Sequence, residues 1–247
     1  DIEFKQDIAD EMRVMLMLDP NAPRDEYPDM EGIIEKIGVE GAFLDCEQVA
    51  TLRRALTAVG SLVGFITSRN ESQYPRLRKR SERVCVFPDV IRRINQLIDE
   101  EANVKDGASQ DLLYIRRSIR EHEGQVSKRL QQVLSNAKRA GIVDADAMIS
   151  IREGRAVIPV SAANKRKLNG FVHDESATGR TFYIEPVEVV ELNNELRELE
   201  YAERREIVRI LSELTDRIRP EIDTIEASAD YLATIDMLRA KGRFAAE

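Results

Sequence analysis

Apolar residues recur at intervals of three and four along most of this chain, the spacing of one face of a helix, and the interval changes in one place. Between residues 154 and 186, GRAVIPVSAANKRKLNGFVHDESATGRTFYIEP, β-branched and aromatic residues cluster between glycine-containing turns. The pattern predicts a mainly α protein: a helical core, a long antiparallel two-helix lever of coiled-coil type, and a small antiparallel β clamp between the two helices. So small a β module has little hydrophobic core of its own, and its side chains are expected to be there to touch another molecule.

In chain order, Phe4, Ile8, Met12, Met15 and Leu16 mark a helix that the DPNAP run at 19–23 ends. Ile33, Ile34 and Ile37, broken by Gly32, Gly38 and Gly41, suit a short helix and a turn. Asp45 can cap a cleaner helix whose face carries Val49, Leu52, Leu56, Val59, Val63 and Ile66. The polar stretch 71–80 holds Tyr74-Pro75 and the basic RLRKR, which reads either as a solvated loop and helix start or as a phosphate-contacting patch. Phe87-Pro88 opens a helix through Val90, Ile91, Ile94, Leu97 and Ile98, closed by a turn at 103–107.

With Ser109 as cap the spacing becomes that of a narrow seam: Leu112, Ile115, Ile119, His122, Val126, Leu130, Val133 and Ala137. Some 30 residues at 1.5 Å each make a rod of about 45 Å. Beyond the β stretch Pro186 favours a first helical turn, and Val189, Leu192, Leu196 and Leu199 form a second seam. After Ala202 that seam drifts to Ile207, Ile210 or Leu211, Leu214 and Ile218, and Pro220 ends it. Residues 109–140 carry seven cations and three anions, whereas 186–219 carry six and nine. Opposite signs favour pairing of the two helices, and a chain that runs out along one and back along the other makes them antiparallel. His122 within the seam reads as a ligand or switch, or as a packing irregularity or bonded polar residue. Ile225, Tyr231, Leu232, Ile235, Met237 and Leu238 mark a last apolar segment, 222–244, that returns to the core. The expected division is a helical core at 1–108, an outgoing lever helix at 109–141, a clamp at 142–185, a returning lever helix at 186–219, and a return to the core at 220–247.

Inside the clamp, residues 148–151 and 155–160 flank Glu153-Gly154 as a hairpin, and 170–172 and 181–184 supply further strands joined by a turn at 176–179. From 161 to 183 four cations, Lys165, Arg166, Lys167 and Arg180, face two anions, Asp174 and Glu175. On a chain of net charge −8 this local excess marks a sequence-tolerant grip on phosphates, with His173 as a weaker contact; its alternative is a solubilising sheet edge. About four neutralised phosphates correspond to a salt slope of about −3.6, or a loss of roughly 150-fold in affinity between about 50 and 200 mM salt. His173, Asp174, Glu175 and Ser176 superficially offer a base, carboxylates and a hydroxyl for hydrolysis, but neighbours in one turn do not readily converge on a substrate.

A third of the residues are charged and 5% are aromatic, the balance of long solvated helices. Cys46 and Cys85, far apart and without metal-ligand spacing, read as buried small residues of a reducing compartment. No apolar run approaches the ~20 residues of a membrane span, and neither an initiator Met nor a signal peptide is present. A cytoplasmic location, no membrane partner, and a chain cut from something longer are the expectations.

From residue 154 onward the run continues as VEVVELNNELRELEYAERREIVRIL, and HDESATGRT followed by IEP and ELNNELRELE resembles the clamp and returning lever of the MutS family. Within it the likeness is to the bacterial second-MutS branch, which suppresses recombination and carries an endonuclease. The likeness extends over the whole chain and is strongest at 142–244. It implies a core, two levers and a DNA-gripping clamp, followed in the parent by an ATPase that uses ATP and Mg and makes the protein a homodimer, and later by a nuclease. It implies branched or duplex DNA as partner and, through rescue of collided ribosomes, ribosomal RNA. The chain has no G-x-x-x-x-G-K-[ST] loop and no mismatch-reading domain is visible, so neither ATPase nor endonuclease activity, cofactor nor catalytic residue is expected within it. A different class of reading remains: a structural coiled-coil spacer whose tip docks a protein through Phe171, Phe182 and Tyr183.

Overall fold

A computed structural model describes residues 2–23 and 27–244, with side chains from 8 to 23 and 27 to 241, so that Phe4 and Phe244 lie outside the described side chains. Its elements are α1 (Ile2–Leu18), α2 (Glu31–Gly38), α3 (Cys46–Ser68), α4 (Pro75–Ser81), α5 (Pro88–Leu97), α6 (Gln110–Arg139), β1 (Ser150–Arg152), β2 (Arg155–Ser161), β3 (Gly170–Glu175), β4 (Thr181–Pro186), α7 (Val187–Ile218) and α8 (Ile222–Phe244). They divide into two compact units, one of residues 1–108 with 208–247 and the other of 109–207.

The first unit is built around α3. Asp45 accepts from the Gln48 N–H while the Gln48 side chain accepts from the Asp45 N–H, a reciprocal cap that satisfies two orphan amides and starts the helix. One face of α3 buries Val49, Leu52, Leu56, Val59, Leu62 and Ile66; Leu62, one residue before the expected Val63, is the deeper of the two. This face packs on α4, α5 and α8, while α1 packs on α4 and α8. The end of α7 is sewn in by polar contacts as well as by buried Leu214 and Ile218: the Thr215 hydroxyl accepts from the Leu44 N–H at 3.0 Å, and the guanidinium of Arg219, the residue after α7, donates to the carbonyls of Ile37 in the last turn of α2 and of Val39 and Ala42 beyond it.

Three expectations are corrected here. α3 is long and apolar enough to cross a membrane, because its Val, Leu, Ile, Phe and Ala residues outweigh the Gly, Ser and Thr set among them; its buried face is that of a core helix. Cys46 is half-buried and Cys85 exposed, since Phe87 fills the core beside the α4–α5 turn. Met237 is 49% exposed, one position off the face that buries Ile235 and Leu238.

In the second unit α6 and α7 run antiparallel. Ser109 donates to Glu206 at 2.6 Å, Arg116 meets Glu203 at 2.6 Å, and His122 meets Glu195 at 3.1 Å, so partners descend along α7 as they ascend along α6. His122 also bonds the Ser118 carbonyl at 2.9 Å, which makes it a bonded polar seam residue. Between the ends the seam is thin: Ile115, Ile119, Leu196 and Leu199 are each half-buried, as two helices without a third neighbour must leave them.

A four-stranded antiparallel sheet of order β1-β2-β4-β3 fills the space where α6 ends and α7 begins. Glu153 and Gly154, both at positive φ, make the two-residue turn of the first hairpin, and Gly179 with φ of 66° serves the second. The sheet has little core of its own, as expected, but it is not left without one. Ala156, Ile158, Val160 and Ile184 pack with Val126, Leu130, Leu134, Ala137 and Val189 into one buried cluster, so that the helix ends supply the half of the core that the sheet cannot. Within it Leu134 is buried and the expected Val133 lies at its margin.

Candidate functional site

The cationic residues of the clamp lie in two loops that the register of β2 and β4 makes neighbours. Ser161 pairs with Thr181, so the chain leaving β2 and the chain entering β4 meet, and the Ala162 N–H donates to the Arg180 carbonyl at 2.9 Å. After Ser161 a tight 3-10 turn at Ala162–Asn164 leads into Lys165, Arg166 and Lys167. The Lys167 N–H donates to the Asn164 carbonyl at 2.8 Å, and the Asn164 side chain donates to the Ile142 carbonyl at 3.0 Å, which ties the turn to the chain just past α6. Lys165, Arg166, Lys167 and Arg180 are all exposed. None of the four is in an ion pair among the described residues. Lys165 extends its ammonium over the Phe182 ring at 3.9 Å, which covers an aromatic face and leaves the charge at the surface.

His173 is placed differently. Its Nε2 lies 2.6 Å from the Glu185 carboxylate, a group 1% exposed that also accepts from Arg155 at 2.7 Å and Asn193 at 2.6 Å. Arg155 in turn donates to Asn194 at 2.7 Å. Burial by itself would raise the Glu185 carboxyl, but the bonds from Asn193, Arg155 and His173 outweigh it and hold the group below the ordinary glutamate range. Glu175 stays exposed on β3 and takes no part in this network. Nothing in the spacing of Arg155, Glu185, Asn193 and Asn194 pointed to the cluster; the pairing of β2 with β4 and the first turns of α7 bring them together.

A second ionic layer covers the sheet. Arg152 pairs with Asp174 at 3.0 Å and lies over the Tyr183 ring at 4.0 Å. With Phe182 and Tyr183 both covered by cations, Phe171 is the aromatic that remains open, at 57% exposure. No group of His, Cys, Asp and Glu among the described residues could hold a metal ion.

No protein-family model matches the chain. Over nearly all of its length it is nevertheless similar to proteins named Endonuclease MutS2: 37% identical over 240 residues to that of Pelotomaculum thermopropionicum, 33% over 242 residues to that of a Geobacillus strain, and 31% over 257 residues to that of Lacticaseibacillus paracasei. The aligned part is 97–99% of this chain but 30–32% of each relative, so the chain spans about a third of the length of the curated relatives it matches.

Proposed function

We propose that this chain is the core, lever and clamp portion of a MutS2-type protein, and that the clamp holds nucleic acid by its phosphates. The observation that carries the reading is the convergence of Lys165, Arg166, Lys167 and Arg180, two loops apart in sequence, into one exposed and anchored cationic surface on an otherwise acidic chain. The similarity to MutS2 proteins across 97–99% of the chain supports the family assignment. Exposed lysines and arginines on a short turn suit backbone contact, which positions a nucleic acid without reading its bases. Branched or duplex DNA is the leading partner and the ribosome, through its RNA, the second.

In this reading the α6–α7 pair is a rigid lever. A packed antiparallel pair about 45 Å long transmits rotation with little bending. The rotation would originate in an ATPase elsewhere in the whole protein, which would use ATP and Mg and hold two copies together as a homodimer. Cleavage of nucleic acid would belong to that protein's nuclease domain, and residues 1–247 would act as its grip. The exposure of Phe171 favours a second reading, a tip that docks a protein partner, in which affinity depends on Phe171 and hardly on salt. Changing Lys165, Arg166 and Lys167 together to Glu separates the two. Loss of binding to four-way-junction DNA supports the grip, and unchanged binding removes it.

A further inference from the structure

The first unit carries a second concentration of positive charge. Arg76, Lys79, Arg80 and Arg83 recur at the spacing of a single helical face, along α4 and the turn that follows, while Leu77 and Ser81 point inward and are buried. The charged face lines a cavity of about 430 Å³ whose opposite wall is Ala227, Asp230 and Tyr231 of α8. The walls are fixed to each other. Tyr231 bonds Ser81 at 2.8 Å with both residues buried, and Arg80 donates to Thr234 at 3.0 Å. At its start α4 is held by Glu11, whose carboxylate accepts from the N–H groups of Arg76 and Leu77 at 3.0 and 2.9 Å.

Folding does not account for this face. Like charges three and four residues apart on a helix repel one another. Lys79 and Arg83 have no ion-pair partner among the described residues, and Asp230 is the one carboxylate among those lining the cavity. Lys79 and Arg83 therefore share the cavity wall with a single carboxylate, an arrangement that a bound polyanion would complete. The volume lies within the ~300–1,000 Å³ of small-molecule sites. The Tyr231 ring, 2% exposed and with its hydroxyl engaged, offers no face on which a base could stack.

We infer that this cavity binds a small polyphosphate, recognised through its phosphates and indifferent to any nucleoside attached to them. The inference is independent of the clamp, since all its residues lie in the first unit. Titration calorimetry of the 247-residue chain with inorganic tripolyphosphate and with ATP tests it. The expected result is saturable binding of both with similar affinity, weakened at least about tenfold in Lys79→Glu/Arg83→Glu, with Lys79→Gln/Arg83→Gln as the milder pair should the first not fold. Binding should persist when Lys165, Arg166 and Lys167 are changed to Glu. The absence of binding at millimolar tripolyphosphate, or binding untouched by both pairs of substitutions, overturns the inference. So does a loss of duplex-DNA affinity without a loss of tripolyphosphate affinity, which would assign the face to nucleic acid backbone.

Discussion

His173 reaches the buried carboxylate of Glu185 because β3 slips by one residue against β4: Val172 lies opposite Ile184 and Asp174 opposite Tyr183, which leaves His173 as the extra residue of a bulge. The slip re-aims the imidazole, and Glu185 thereby acquires a third donor. This makes the Arg155–Glu185–His173–Asn193 cluster the polar counterpart of the apolar core on which the sheet rests.

Acid should therefore loosen the second unit through Glu185. Its carboxyl lies below the ordinary glutamate range in the folded protein, so the stability it contributes is fully present above the unfolded value of about 4.3 and is lost as pH falls through the lower folded value. Thermal melts followed by circular dichroism from neutral pH downward should show this loss, and Glu185→Gln should flatten it. Glu185→Ala leaves Arg155 without its buried partner and is expected to cost about 3 kcal/mol. A melt of Glu185→Gln that tracks the parent's pH dependence would assign the acid sensitivity to another group.

Gly170 should not tolerate a side chain. A Cβ there would lie 2.2 Å from the Glu185 carbonyl oxygen and 2.7 Å from Cγ2 of Ile184, and the obstacle is mostly backbone that cannot turn aside. Gly170→Ala is expected to cost at least about 1–3 kcal/mol, read as a lowered denaturation midpoint with loss of β3–β4 pairing. Wild-type stability in that variant would contradict the close approach of the two strands.

Arg116 and Glu203 should couple across the helix pair. Their side chains are 20% and 26% exposed, more sheltered than a surface pair, and 2.6 Å apart. A double-mutant cycle with Ala should yield about 1 kcal/mol, and exchanging the two charges should recover part of what either reversal alone loses. Zero coupling would mean that the helices do not meet in this register.

Much of the helical frame was legible because it follows from local spacing and caps: Asp45 and Ser109 start the helices their side chains can cap, and Leu112, Leu130 and Leu214 are buried where the period puts them. The drift of the seam after Ala202 has a structural counterpart, since Ser109 already bonds Glu206 and α6 has no further residues to offer α7; Ile210, Leu211, Leu214 and Ile218 are buried in the first unit. The helical period does not separate adjacent apolar residues such as Val133 and Leu134, or Leu62 and Val63. Nor does local pattern carry a pairing register. The junction of Arg180 with the turn after Ser161, and the bulge that turns His173 to Glu185, arise from contacts between strands that sequence neighbours do not report.

The most direct test of the cationic clamp is the salt dependence of binding to four-way-junction DNA by this chain, compared with the form in which Lys165, Arg166 and Lys167 are Glu. About four phosphate contacts predict a slope of about −3.6 on a double logarithmic plot, a fall of roughly 150-fold between about 50 and 200 mM salt, and removal of three cations should flatten the slope to about −1. Equal slopes for the two forms would contradict a phosphate grip by these residues.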